Sequence, residues 1–327
     1  MNEATQTGPT FSVIIAAYQA AGFVAGAVRS ALDQDPSPLE VIVGDDESTD
    51  DLAAALAPFG AAVRLVRIEH GGEAAAKNAA AAGAAGDFLA FLDADDRFLP
   101  GRLAAVGALA RSQPDLDVIT TDAHLVTAGR VVGRAYGPGF RFEPDRQREA
   151  ILRGNFVLGN AAVRRSRFVA VGGFDPAVEY TTDWDLWVRL VLAGSKIGFI
   201  DEPLAEYHLH PTSMSARRAA MSRGRLETLA RAAAREDLTA AERVILEETW
   251  TKEQARLARE ELKEVLAVGS ARGARRAAVR ILRSRQQPPN AKAKALAALV
   301  APALLSRGLR RVSKRSFTTV GDRRVDR

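Results

Sequence analysis

The chain has no cysteine among its 327 residues, which excludes disulfides and thiolate-bound metals and leaves nothing pointing to an oxidising compartment. It also lacks an apolar run long enough to cross a bilayer, which takes about 20 residues. The best candidate, Ala295 to Leu305, is too short and contains Pro302. The stretch Met1 to Thr10 has no basic segment leading into an apolar one, so it is expected to be a disordered lead and not a signal peptide. Aromatic residues are few in the carboxyl-terminal region, which argues against base stacking and hence against nucleic acid as a partner.

What is present suits a globular chain: 47% hydrophobic and 26% charged residues, enough for one large domain with an appendage. The net charge of +5 conceals a division. Residues 1–212 carry 18 basic and 28 acidic side chains, whereas residues 213–327 carry 27 and 12. An acidic body and a basic tail face different partners, and a negatively charged membrane surface would suit the tail.

The chain is organised around Phe88-Leu89-Ala90-Phe91-Leu92-Asp93-Ala94-Asp95-Asp96. An apolar run that ends in clustered carboxylates reads as a buried strand delivering negative charge to a sheet edge. Carboxylates so close repel one another, and a divalent cation is the simplest resident. Oxygen ligands point to Mg²⁺ or Mn²⁺ and away from zinc.

Upstream, Phe11 to Ala17 reads as the first strand and Ala20 to Leu32 as a helix. Leu39 to Gly44 reads as a second strand ending on Asp45-Asp46, with Ser48 or Thr49 expected to cap a helix over 50–56. Ala62 to Ile68 is a third strand, and Gly71-Gly72 opens an alanine-rich helix to about Ala82. Strand and helix alternate, which argues for an α/β fold with a mostly parallel sheet flanked by helices. Such sheets bind ligands at the carboxyl ends of their strands. Here those ends carry Tyr18, Asp45 and Asp46, His70-Gly71-Gly72, and the aspartates from Asp93 to Asp96.

Downstream, Val118 to Asp122 and Ile197 to Ile200 read as short strands, and Thr181 to Leu190 as a helix with Asp183 at its start, where the dipole favours a carboxylate. Thr239-Ala240-Ala241-Glu242 is a capping box for a long charged helix. Gly269 to Gly273 is expected to break that helix, a basic helix to follow over 274–285, and Pro288-Pro289 to interrupt. Flanked by Lys292, Lys294, Arg307, Arg310 and Arg311, the apolar segment from Ala295 suits a membrane interface, or packing on the catalytic body or on another subunit.

Taken in order, Val13 to Tyr18, Val41 to Asp50, Ala76-Lys77-Asn78 and Phe91 to Asp96 resemble the family 2 glycosyltransferases, which invert the anomeric centre on a GT-A (Rossmann-like) fold. The resemblance implies a lead over 1–10, a GT-A glycosyltransferase domain over 11–215 and a helical, basic region over 216–327 outside it. It implies donor binding by Ala16, Tyr18, Asp46, Lys77 and Asp93, with Tyr18 stacking near the nucleotide base and Asp46 hydrogen-bonding it. Lys77 stands where the family usually has arginine, which keeps the charge and loses the bidentate fork. Asp95 would be the direct metal ligand with Asp93 beside the ribose, and His210 a further contact to metal or diphosphate. Asp183 matches the general base, preceded here by Thr182 where glutamate is common, and Trp184 would offer a platform to the acceptor.

The implied function is metal-dependent transfer of a sugar from a nucleoside-diphosphate sugar, a UDP-sugar in first place, to a glycan or lipid-linked acceptor in bacterial cell-surface polysaccharide synthesis. The implied place is the cytoplasm, at the inner face of the plasma membrane, with a second copy of the chain as an additional partner. A nucleotidyltransferase or a non-catalytic sugar-nucleotide-binding protein of the same fold are the alternatives.

Overall fold

Val13, Ile14 and Ile15 are fully buried in β1 (Phe11–Ala17), because the strand has a neighbour on each edge and helices on both faces. β1 runs parallel to β2 (Glu40–Asp46) on one side and to β4 (Phe88–Asp93) on the other, and β3 (Val63–Ile68) adds to β2, also parallel. The connections are α1 (Val24–Leu32), α2 (Leu52–Leu56) and α3 (Glu73–Ala82). Val13, Ile15, Val41, Val43 and Leu92 pack on one face against Val24 and Val28 of α1 and against Leu103 and Val106 of α4 (Arg102–Ser112). On β2 a Cβ at Gly44 would collide with the Ala76 carbonyl, so glycine there lets α3 lie directly on the strand. That close approach sets the start of α3 beside the end of β2.

Beyond β4 the sheet turns mixed. β8 (Ala162–Arg164) is antiparallel to β4 and to β6 (Leu116–Thr127), and β9 (Lys196–His208) is parallel to β6. β5 (Arg97–Phe98) closes the edge against β9, and β7 (Arg130–Arg134) forms a hairpin with β6. The order is β3-β2-β1-β4-β8-β6-β9-β5. The helices of this half are α5 (Gln147–Arg153), α6 (Arg165–Ala170) and α7 (Thr182–Leu192).

The computed structural model describes residues 8–210 and 217–305. The chain divides into two compact units, Met1–His210 and Pro211–Arg327. The second contains α8 (Arg218–Ala233), α9 (Ala240–Ala267), α10 (Ala271–Arg283) and α11 (Pro289–Val300). Its core joins Leu262, Leu266 and Ile281 to Ala274, Ala278 and Ala295, and the alanines let the helices approach closely. The expected boundary at 215 and the basic residues from Arg307 onward lie outside the described residues.

Several expectations change. Thr10, assigned to the disordered lead, is tied by its backbone N–H and hydroxyl to the Asp87 carboxylate at 2.9 and 2.8 Å. Neither Ser48 nor Thr49 caps α2. The Ser48 hydroxyl accepts from the Gln19 N–H at 3.0 Å and Thr49 Oγ1 from the Gln19 amide at 2.7 Å, so both tie the ends of β1 and β2 together. The two short downstream strands are twelve and thirteen residues long, because β6 and β9 pair with each other through Pro203 by shifting register there. α10 begins ahead of Gly273, whose N–H the Ser270 hydroxyl caps at 3.1 Å. Pro289 begins α11 in the first turn, where its missing N–H is no loss.

Candidate active site

The register of the parallel strands brings their carboxyl ends level: Ala16 pairs with Gly44 on one side and Asp93 on the other. Tyr18, just past β1, is 52% exposed, and its ring lies 4.7 Å from that of His70, past the end of β3. The two rings make an open aromatic face. Beneath them Asp46 is 2% exposed, yet its carboxylate is satisfied. Oδ1 accepts the Gly71 N–H at 2.7 Å, Oδ2 the Gly72 N–H at 3.0 Å, and His70 Nδ1 stands 2.9 Å from Oδ2. Gly72 takes a φ of +85°, which an L side chain resists, and this turn aims both N–H groups at Asp46. Gln19 and Glu47, at the same edge, also sit at positive φ. Strain of this kind persists only where surrounding bonds hold it, and it gathers at ligand sites.

From α3, Lys77 reaches the same edge with only 2% exposure. Its ammonium contacts Glu73 and lies 2.9 Å from Asp93. Burial alone would lower its pKa, but the charges of Asp93 and Glu73 outweigh burial and hold it above the ordinary lysine range. The next residue, Asn78, bonds both backbone groups of Phe174, donating at 2.7 Å and accepting at 2.9 Å. That pins the loop entering α7 onto α3.

Past β4, Asp95 is about one-third exposed, and its pKa is raised by burial first and by the neighbouring Asp93 charge second. Asp96 turns inward, 2% exposed, and accepts the His208 N–H at 2.8 Å. His210 stands with Nε2 4.0 Å from Asp95 Oδ2 and its ring 5.5 Å from that of Phe23.

Asp183 occupies the first turn of α7 and is half-buried. Removal from water pushes its carboxyl up to about 6, against the pull of the Trp184 N–H, while the charges of Glu73 and Asp93 raise it and that of Lys77 lowers it. The same Glu73 and Asp93 act on Asp95, so Asp183 and Asp95 both feel the charges gathered around Lys77. Asp183 Oδ1 accepts from the Trp184 N–H at 2.7 Å, and Oδ2 accepts from the Asn155 side-chain amide at 2.8 Å.

Among the described residues no three His, Asp or Glu side chains form a ready-made metal cage. The donor set nonetheless fits a hard divalent ion: adjacent carboxylates whose mutual repulsion raises Asp95, with an imidazole beside them, leave most coordination positions for substrate oxygens and water.

One expected site residue is corrected. Trp184 is 3% exposed and donates its indole N–H to the Ile151 carbonyl at 2.8 Å, so it packs the core and presents no face to a sugar. Trp187 is fully buried as well. Glu73 and Asn155 were missed. Glu73 follows the Gly71-Gly72 turn and was legible as a helix-start carboxylate. Asn155 lies on an irregular segment with no periodicity to betray it.

Comparison with known proteins bears on the family and the fold. Residues 12–170 match the glycosyl transferase family 2 model. The succinoglycan biosynthesis protein ExoU of Rhizobium meliloti is 33% identical over 217 residues, covering 60% of this chain and 61% of that protein. The O-antigen biosynthesis protein RfbC of Myxococcus xanthus is 31% identical over 234 residues, 69% of this chain and 18% of its own length. Both relatives therefore extend well beyond the matched part. Among solved structures, S. aureus TarS 1-349 in complex with UDP-GlcNAc superposes with a TM-score of 0.59 at 16% identity, over 97% of this chain and 94% of that one. The mannosyltransferase PcManGT from Pyrobaculum calidifontis, in complex with GDP-Man and Mn²⁺, gives 0.59 at 19% identity over 95% and 88%. The sheet with its flanking helices is thus the GT-A fold, and residues 12–170 of this chain match glycosyl transferase family 2.

Proposed function

We propose that the chain transfers a sugar from a nucleoside-diphosphate sugar to a hydroxyl of a glycan or lipid-linked acceptor, with inversion at the anomeric carbon. The observation that carries this reading is that Glu73 and Asp93 act on both Asp95 and Asp183, with Lys77 2.9 Å from Asp93. Tyr18 and His70 offer their aromatic face to the base, with Asp46 holding the turn beneath it. Lys77 fixes Asp93 at the edge of the donor site. A bound Mg²⁺ or Mn²⁺, held by Asp95 and Asp93 with His210, would supply positive charge to the departing diphosphate. Across from it, Asp183 accepts the acceptor's hydroxyl proton. The new C–O bond forms as the bond from the anomeric carbon to phosphate breaks, and the nucleoside diphosphate leaves with the electron pair. In-line attack inverts the configuration.

Polysaccharide precursors fit as acceptors because the relatives named above act in succinoglycan and O-antigen biosynthesis. The helical unit supports work at an anionic membrane surface. α10 exposes Arg272, Arg275, Arg276 and Arg283 along one stripe, and α11 exposes Leu296 and Val300. No helix among the described residues is long and apolar enough to cross a membrane, so such binding would be peripheral.

The test is a panel of nucleotide sugars with Mn²⁺, read by thermal shift and by products. The cognate donor is expected to raise Tm, since a ligand held at 100 times its Kd adds about 2.7 kcal/mol to the folded state, and to release a nucleoside diphosphate with transfer to acceptor. Pyrophosphate released from a nucleoside triphosphate would overturn the reading in favour of nucleotidyl transfer.

A further inference from the structure

Asn155 sits between α5 and β8 and is not part of either. Its side chain bridges two groups: Oδ1 accepts the Val157 N–H at 3.0 Å and Nδ2 donates to Asp183 Oδ2 at 2.8 Å. The Val157 bond fixes which end of the amide is oxygen, so the end facing Asp183 is a donor. The segment around it is anchored to the mixed half of the sheet. Tyr136 Oη donates to the Phe156 carbonyl at 2.7 Å, and the Leu158 N–H donates to Thr120 Oγ1 at 3.3 Å. Further along, a Cβ at Gly159 would stand 3.8 Å from Asp183 Oδ2, an ordinary contact, so the segment passes the carboxylate twice.

We propose that Asn155 is a positioning residue for Asp183, holding the carboxylate ionised and turned so that its free lone pairs meet the acceptor hydroxyl; this rests on Asp183 being the general base. A hydrogen bond donated to a carboxylate favours its charged form, and small misplacement of a reacting group is costly in rate. The groups that act on Asp183 are Glu73 and Lys77 from α3, Asp93 from β4 and the Trp184 N–H of its own helix, while the nearby Asp185 is committed to Arg189 at 2.7 Å. Asn155 is a neutral side-chain donor to Asp183 Oδ2, and it brings no charge to this crowded set.

The experiment compares wild type, Asn155→Ala, Asn155→Asp and Asp183→Asn with the cognate donor, measuring kcat/KM against pH, donor Kd and Tm. Asn155→Ala is expected to lower the plateau about tenfold to a hundredfold and to move the acid limb up by about one pH unit, with donor Kd within about twofold of wild type. Asn155→Asp keeps an oxygen for the Val157 N–H and replaces the donor with a like charge, so it should be at least as impaired. Wild-type activity in Asn155→Asp overturns the proposal, because the Val157 turn alone would then be what matters. An unmoved acid limb in Asn155→Ala overturns it too, whatever happens to Tm. Turnover in Asp183→Asn would remove the base assignment itself, while a dead Asp183→Asn beside a normal Asn155→Ala sinks only the positioning role.

Discussion

The parallel half of the sheet and its mixed half hold their carboxylates by different means. On β2 and β4 the aspartates are the last residues of buried strands, so their positions follow from the ladder register and from α3 lying on Gly44. On the mixed side no strand end delivers the key carboxylate. Asp183 comes from a helix start, and its carboxylate is bonded to Asn155 on an irregular segment. On the proposed function, the difference teaches that the donor side is built into the backbone of the sheet, while the acceptor side is assembled by side chains and can vary without disturbing it. Binding surfaces on connecting segments over a rigid scaffold have this freedom generally.

The comparison breaks most sharply at Asp95. Asp95→Ala is expected to lose metal-dependent transfer by about a thousandfold, in keeping with the several kcal/mol that a bound cation contributes to charge stabilisation. The unfolding transition should stay in place, because the side chain is one-third exposed. Rates with and without Mn²⁺ check it, and an unchanged metal response would show that the two halves do not divide the work in this way. Next comes Asp46. Asp46→Ala frees the Gly71 and Gly72 N–H groups, each bond being worth about 1 kcal/mol, and should weaken donor binding by roughly tenfold or more while leaving the Asp183 titration alone. Donor titration calorimetry measures the first effect and the pH–rate profile the second.

The smallest effect is the pH dependence itself. With Asp183 pushed up to about 6 and needed ionised, kcat/KM should fall about tenfold per pH unit below that value and level off above it. The same shift bears on stability with the opposite sense. Ionising a carboxyl whose folded pKa is raised costs the fold stability as pH climbs from the ordinary carboxylate range through about 6, so Asp183→Asn should be no less stable than wild type at pH 7. A destabilised Asp183→Asn would mean that the carboxylate serves packing and not chemistry.

The parallel half was legible because β2 and β4 are apolar runs that stop at carboxylates, as in Phe88 to Asp93, and because strand and helix patterns alternate along it. The mixed half was not. β9 contains Pro203 and passes through half-buried and exposed residues, so it reads as a strand only where it starts, at Ile197 to Ile200, and its pairing with β6 depends on a register shift that no local pattern announces. Trp184 misled because a tryptophan beside a base suits sugar stacking, whereas the helix turns that position inward onto Ile151. Asn155 carried no signal, since its meaning depends on a contact to a residue 28 positions away. The capping box at Thr239 was legible for the opposite reason, being a pattern that needs only its own four residues.

The central claim is that Asp183 takes the proton of the incoming hydroxyl, and single-turnover transfer by Asp183→Asn with saturating donor, Mn²⁺ and acceptor tests it most directly. The account predicts donor affinity close to wild type with transfer slowed by about 10²- to 10⁴-fold and no remaining acid limb near pH 6. Transfer at the wild-type rate, or an acid limb that persists in the variant, would contradict it.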